Sequence, residues 1–219
     1  TWLRAFLLNL VTDAPQPVDI NKLAALTHGD SQATWYAPFD ARPATALSAE
    51  DLARLRPKAQ ARIAESSPDS IFVKTHNALV EVAGTAMISQ SLTAGVIYVV
   101  RNPLDVALSY ADHLGQPVDN IITLMAECGF ETPANEHNVP EHHSDWSSHV
   151  KSWTQVSHPA LHVVRYEDMA SRPAPTFAGI ARFLGIDAPR ERLLRAVRFS
   201  SFKVLRAQEK KDGFVERTP

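Results

Sequence analysis

One cysteine, Cys128, stands among the 219 residues. A lone thiol excludes an intrachain disulfide and a cysteine-based zinc cluster, and it suits a reducing compartment. No apolar run approaches the roughly 20 residues that span a bilayer, so no stable membrane insertion is expected. The apolar start, Thr1–Leu10, has neither a basic leader nor a small-residue cleavage site. It reads as an amphipathic helix rather than a signal peptide. Strong net charge is also missing: 22 Lys and Arg against 24 Asp and Glu leave −2. That weighs against bulk nucleic-acid binding but leaves room for a local basic pocket for a small anion.

What is present is ordinary for a globular protein, 45% hydrophobic and 21% charged residues. The length suits one domain, residues 1–219, with a substantial core. The chain opens on a helix without an initiator methionine, so its true N-terminus is expected to be missing. The organising stretch is Gly95–Tyr110. Its β-branched first half reads as a buried strand. Asn102 then suits an N-cap, Pro103 the first helical position, and Asp105 the first turn. A strand running into a capped helix leaves backbone N–H groups free to meet an anion. Arg101 closes the strand beside that end. Ser109 lies on the polar helix stripe Asp105–Ser109–His113.

Elsewhere, Trp2, Leu3, Phe6, Leu7 and Leu10 mark one helix face. A short helix is expected near Asn21–Leu26, capped by Asp19 or Asn21. Ser31–Pro43 reads as irregular, with Trp35, Tyr36 and Phe39 clustered in it. Ser48 and Asp51 form a capping box for a helix to about Glu65. Ser70–Lys74 is a strand that ends in Thr75-His76-Asn77, and Asn77–Leu92 is expected to contain a helix begun or interrupted at Gly84. Asn120–Cys128 is a further helix. Gly129–Ser144, with His137, His142 and His143, has few anchoring residues and reads as a mobile loop. Its histidines lack a regular ligand pattern, so no metal is expected. Asp145–Gln155 places Trp146, His149, Val150 and Trp153 on one helix face. Ala160–Tyr166 is a strand, Pro173–Leu184 and Arg190–Arg198 are helices, and Lys203–Arg217 is a basic tail. On the residues alone, Trp2 and Phe202 are core aromatics and His76 is a structural histidine.

Four ordered motifs change those readings. They are Thr1-Trp2, Lys74-Thr75-His76, the Arg-Asn-Pro-x-Asp-x-x-x-Ser run from Arg101 to Ser109, and Tyr166-Glu167-Asp168 followed by Ser200–Phe202. In this order the chain resembles sulfotransferases that use 3′-phosphoadenosine 5′-phosphosulfate (PAPS). The resemblance implies an α/β fold, a parallel β-sheet flanked by helices on both faces, related to P-loop nucleotide kinases. It implies transfer of a sulfuryl group to a hydroxyl or amine of a small-molecule acceptor, with adenosine 3′,5′-bisphosphate (PAP) as the other product. His76 would be the general base, and Lys74 would stabilise charge on the sulfuryl oxygens. Arg101 and Ser109 would hold the 3′-phosphate, a dianion that suits a guanidinium fork and a hydroxyl. Thr1 would touch the 5′-phosphate, and Trp2 would stack on adenine with Tyr166, Ser200 and Phe202 nearby.

The resemblance also implies that Gly129–Ser144 covers the acceptor pocket and that His149 lines its wall. A phosphate-loop lysine before Thr1 and an Arg-Lys-Gly-type segment after the tail belong to the family pattern and are absent from these residues. A cytoplasmic enzyme is expected, and a homodimer is admitted. Two other readings stay open: a P-loop transferase such as a small-molecule kinase, and a non-catalytic nucleotide-binding relative.

Overall fold

The computed structural model describes residues 1–155 and 160–216. In chain order the helices are α1 (Trp2–Thr12), α2 (Ala33–Tyr36), α3 (Ala49–Ala64), α4 (Pro103–Leu114), α5 (Val118–Ala126), α6 (Trp146–Thr154), α7 (Tyr166–Ser171), α8 (Pro173–Phe183), α9 (Arg190–Phe199) and α10 (Phe202–Asp212). The strands are β1 (Thr27–Gly29), β2 (Phe72–Lys74), β3 (Glu81–Val82), β4 (Thr85–Ala86), β5 (Val96–Val100), β6 (Glu131–Thr132), β7 (Glu141–His142) and β8 (Leu161–Arg165). The fold is α/β, with parallel pairs β1–β2 and β5–β8 and antiparallel hairpins β3–β4 and β6–β7. Among the described residues each strand has one hydrogen-bonded neighbour strand. β5 was expected to be buried. Paired among the described residues with β8 alone, it is half-buried and keeps Val99 38% exposed.

The residues group into two compact units. One comprises residues 1–27, 97–102 and 162 onward; the other comprises 28–96 and 103–161. In the first, α1 buries every residue from Ala5 to Leu10, so it is enclosed on all sides there rather than on the one face its sequence marks. Phe6 stacks on Phe177 of α8 at 4.3 Å between ring centroids. Ala5 and Leu8 meet Ile20, Leu23 and Leu205. The C-terminal carbonyls of α1 lack partners within the helix. Arg192 of α9 donates to the Leu10 carbonyl at 2.6 and 2.9 Å. Arg195 pairs with Asp13, the left-handed residue that ends α1. Guanidinium groups at a helix C-terminus also oppose its negative dipole end. The basic tail is mostly helix α10; Arg217 lies outside the described residues.

In the second unit, Ser48 and Asp51 form the expected capping box at the start of α3. Leu52, Leu55 and Ala59 then pack with Tyr36, Ala44 and Val139. The helix expected within Asn77–Leu92 is instead the hairpin β3–β4, followed by a single 3₁₀ turn at Gln90–Leu92. Ala83 and Gly84 both have positive φ, 48° and 73°. Two such residues in succession make the tight turn that fits the twist of a hairpin and cannot continue a right-handed helix. Gly129–Ser144 also differs from expectation, being anchored rather than loose. Val139 is 1% exposed, its N–H donates to the Ser31 carbonyl at 2.8 Å, and the His137 carbonyl accepts from Ala33 at 2.8 Å.

Candidate active site and donor cluster

The segment after β2 lies in the second unit and is strapped on several sides. Asn77 is fully buried. Its Nδ2 donates to Asp30 Oδ2 at 3.0 Å, and its Oδ1 accepts from the His142 backbone N–H at 2.7 Å. The Ala78 N–H returns a bond to the His142 carbonyl at 2.7 Å. Helix α6 adds two donors. Trp153 Nε1 reaches the Asn77 carbonyl at 3.1 Å, and His149 Nε2 reaches the His76 carbonyl at 3.2 Å. A carbonyl only accepts, so His149 carries its hydrogen on Nε2. The α6 face read from the sequence is therefore real, and it holds the backbone beneath His76.

His76 itself projects from this strap with 48% of its side chain exposed. Its Nδ1 lies 3.0 and 3.2 Å from the two carboxylate oxygens of Glu141, on β7. Ser31 Oγ donates to the same carboxylate at 2.9 Å. Burial works against charge on Glu141. The hydrogen bond and charge of His76, the Ser31 hydroxyl and nearby His143 outweigh it, and the carboxyl is carried down to about 2. His143 stacks on Phe130 at 5.2 Å, and its Nε2 lies 2.8 Å from Thr132 Oγ1. Burial is the main reason that its pKa falls to about 4, so its ring is neutral at pH 7. Asp30, 2% exposed, is pushed up by burial.

Lys74 ends β2 two residues before His76, half-buried, and its carbonyl accepts from the Asp30 N–H at 3.2 Å. Ser109 is in this unit too, exposed on α4 along the stripe with Asp105 and His113, which are also exposed. Among the described residues no group of three or more His, Cys, Asp and Glu is placed to hold a metal ion. His142 of the histidine-rich segment pairs instead with Glu131 at 2.8 Å.

The first unit gathers the other predicted residues. The Arg101 guanidinium lies over the Tyr166 ring, 4.5 Å from its centroid. Trp2 packs against Tyr166, Phe177 and Phe202 at 5.8, 5.6 and 4.3 Å. Trp2 and Phe202 lie against each other, so no base fits between them in this arrangement. Phe202 is 51% exposed and offers an outer aromatic face. Trp2 Nε1 and Arg101 Nε are buried donors with no hydrogen-bond partner. Buried donors are nearly always matched, so two unmatched ones beside exposed aromatic surface leave room for a ligand that brings hydrogen-bond acceptors. A cleft of about 500 Å³ opens here, lined by Thr1, Trp2, Phe202, Leu205, Arg206 and Phe214 among others.

Ser200 departs from its expected role. It is fully buried, and its hydroxyl donates to the Ala196 and Val197 carbonyls at the end of α9, at 2.9 and 3.2 Å. The unpaired carbonyls of a helix end account for that placement, so Ser200 is a helix-terminating residue. Glu167 and Asp168 form no acid–base pair. Glu167 accepts from the Asn102 N–H at 2.7 Å, and Asp168 pairs with Arg172 at 2.8 Å.

Sequence reading missed Glu141, Asn77, Asp30 and Ser31. The available signal was the carboxylate set directly before His142-His143 in a segment taken for loop.

The sulfotransferase domain model matches residues 1–213, so the chain belongs to the sulfotransferase domain family. Sulfotransferase 1A1 of Rattus norvegicus is 30% identical over 149 residues, covering 65% of this chain and 47% of that protein. Sulfotransferase 1B1 of Canis lupus familiaris is 30% identical over 154 residues, covering 65% and 46%. The chain thus spans about half the length of the curated relatives it matches. Among solved structures, mouse sulfotransferase SULT7A1 complexed with PAP aligns with a TM-score of 0.56 at 18% identity, covering 92% of this chain and 61% of that one. Retinol dehydratase in complex with androsterone and the inactive cofactor PAP aligns with a TM-score of 0.61 at 18% identity, covering 95% and 62%. These likenesses establish the sulfotransferase fold, as the four motifs implied.

Proposed function

We propose that the chain carries out sulfuryl transfer from PAPS to a hydroxyl or amine of a small-molecule acceptor. The observation that carries this reading is the His76–Glu141 pair, set at the end of β2 in a chain of this family. The donor supplies the activated sulfuryl group. His76 takes the acceptor's proton as the acceptor oxygen or nitrogen forms its bond to sulfur. The sulfur–oxygen bond to the donor's phosphate breaks, and PAP leaves. Lys74 offers positive charge to the sulfuryl oxygens, where a fixed cation lowers the barrier. Arg101 and Ser109 hold the 3′-phosphate, and Thr1 the 5′-phosphate. Trp2, Tyr166 and Phe202 provide aromatic surface for adenine. The PAP named in both structural neighbours and the unmatched donors Trp2 Nε1 and Arg101 Nε support the donor assignment. A homodimer in the cytoplasm completes the reading.

Calorimetry on the full chain with PAP against 5′-AMP tests it. A 3′-phosphate held by charge-assisted hydrogen bonds is worth at least about tenfold in affinity. Arg101→Ala should remove most of that preference, and equal affinities of the wild type for the two nucleotides refute the donor assignment. His76→Ala should abolish transfer while leaving PAP affinity within about twofold.

A further inference from the structure

A histidine that acts as a base must present a lone pair to its substrate, and its two ring nitrogens are not equivalent. In a neutral imidazole one nitrogen carries hydrogen and the other the lone pair. What each nitrogen meets decides which is which. At His76 the Nδ1 side is occupied: both Glu141 oxygens lie within 3.2 Å of it. An ionised carboxylate has no hydrogen to give, so Nδ1 must be the donor. The lone pair of the neutral ring is then on Nε2.

Glu141 is itself held from two directions. Its strand is tied to the segment carrying His76 by the Ala78-to-His142 backbone bond and by the Asn77 side chain. Ser31, 2% exposed, donates to Oε1 at 2.9 Å. Nearby, His143 lies with its ring centroid 6.2 Å from that of His76, stacked on Phe130 and with Nε2 2.8 Å from Thr132 Oγ1. The carboxylate is therefore fixed before any acceptor arrives.

We propose that Glu141 is a positioning residue, which selects the Nδ1–H form of His76, turns Nε2 toward the acceptor and stabilises the imidazolium formed on proton transfer. The same division of labour operates wherever a buried carboxylate backs a catalytic imidazole. It also gives the hairpin β6–β7 a part in the chemistry, because displacing that hairpin moves the carboxylate.

This inference rests on His76 being the base, and two separate readouts keep the claims apart. The full chain is labelled with ¹⁵N-histidine, and the His76 tautomer is read from its ring nitrogens. The wild type should show the Nδ1–H form. Glu141→Leu offers no acceptor, so the ring should move to the Nε2–H form. Its kcat should fall by about 100-fold or more, the scale of a general base's contribution, with PAP affinity within about twofold. Retention of the Nδ1–H form in Glu141→Leu, or a kcat within about threefold of wild type, overturns the proposal. If the leucine variant does not fold, the near-isosteric Glu141→Gln gives both readouts. With its oxygen accepting from Ser31, its NH₂ is left to meet Nδ1, so the Nε2–H population should rise and kcat should fall. Full transfer by His76→Ala would instead defeat the base assignment, and the tautomer measurement would still judge Glu141.

Discussion

Asn77→Ala is the sharpest probe of how the segment carrying His76 is held. The substitution deletes a donor to Asp30 at 3.0 Å and an acceptor for the His142 N–H at 2.7 Å. Each lost bond is worth about 0.5–1.5 kcal/mol net, and each buried partner left unmatched adds about 1–3 kcal/mol. The two sites differ in how far water can help. The His142 amide is part-buried, so solvent offsets some of its loss. Asp30, 2% exposed, stays out of reach of solvent but keeps its contact with Ser31. The expected loss is about 2–4 kcal/mol, a large share of the roughly 5–15 kcal/mol that holds a domain together. With a urea m-value of about 2 kcal/mol/M, the midpoint should drop by about 1–2 M. Transfer activity should fall as well, because the same side chain ties the His76 segment to the hairpin carrying Glu141. A midpoint shift below about 0.3 M would refute the reasoning. Asn77→Asp is the informative control. It keeps an oxygen for His142 but sets a second carboxyl against Asp30, whose pKa burial has already raised. An acid with a raised folded-state pKa is stabilised when protonated, so this variant should lose stability as pH rises through the carboxyl range.

Two further outcomes follow from the packing and the titrating groups. Phe177→Ala removes a fully buried ring stacked on Phe6 and edge-on to Trp2, and should cost about 3–5 kcal/mol in chemical denaturation. Acid unfolding should proceed in two stages. His143 has its pKa lowered to about 4 from 6.5, so the unfolded chain binds its proton first and stability falls as pH drops from about 6.5 to 4. Glu141, lowered to about 2 from 4.5, stabilises the fold above pH 4.5 and loses that contribution as pH drops toward 2. In pH-dependent denaturation, His143→Phe should reduce the slope of the upper stage, which His149 and His142 share, and should also shrink the lower stage because the His143 charge helps hold the Glu141 carboxyl down; an unchanged upper slope would contradict this.

Local signals in the sequence carried much of the secondary structure. Ser48 and Asp51 announced the start of α3, because a capping box is made by residues three apart. Pro103 marked the first residue of α4, since its fixed φ and missing N–H suit that position. The hairpin β3–β4 was less legible. Apolar residues around Ala83-Gly84 suit a helix as well as two short strands, and only the pair of positive φ angles separates them. Gly129–Ser144 was misread for a different reason. Its anchors, Ser31, Ala33, Asn77 and Phe130, are mostly remote in the chain, and no local pattern reveals a partner 60 or more residues away.

The family, the α/β class and the position of His76 at a strand end were determined by the sequence itself. They rest on ordered motifs whose spacing is fixed along the chain. The tertiary structure decided what those residues meet. It turned Ser200 inward to the end of α9, laid Phe202 against Trp2, and left Arg101 stacked on Tyr166 with an unmatched donor. Above all it brought Glu141 to Nδ1 of His76 across 65 residues. Motif spacing specifies neighbours on one strand or helix, whereas a hydrogen bond between strand-end and hairpin depends on how the whole unit packs. His76 and its place at a strand end were visible in the linear chain, and the carboxylate at its Nδ1 only in the folded one.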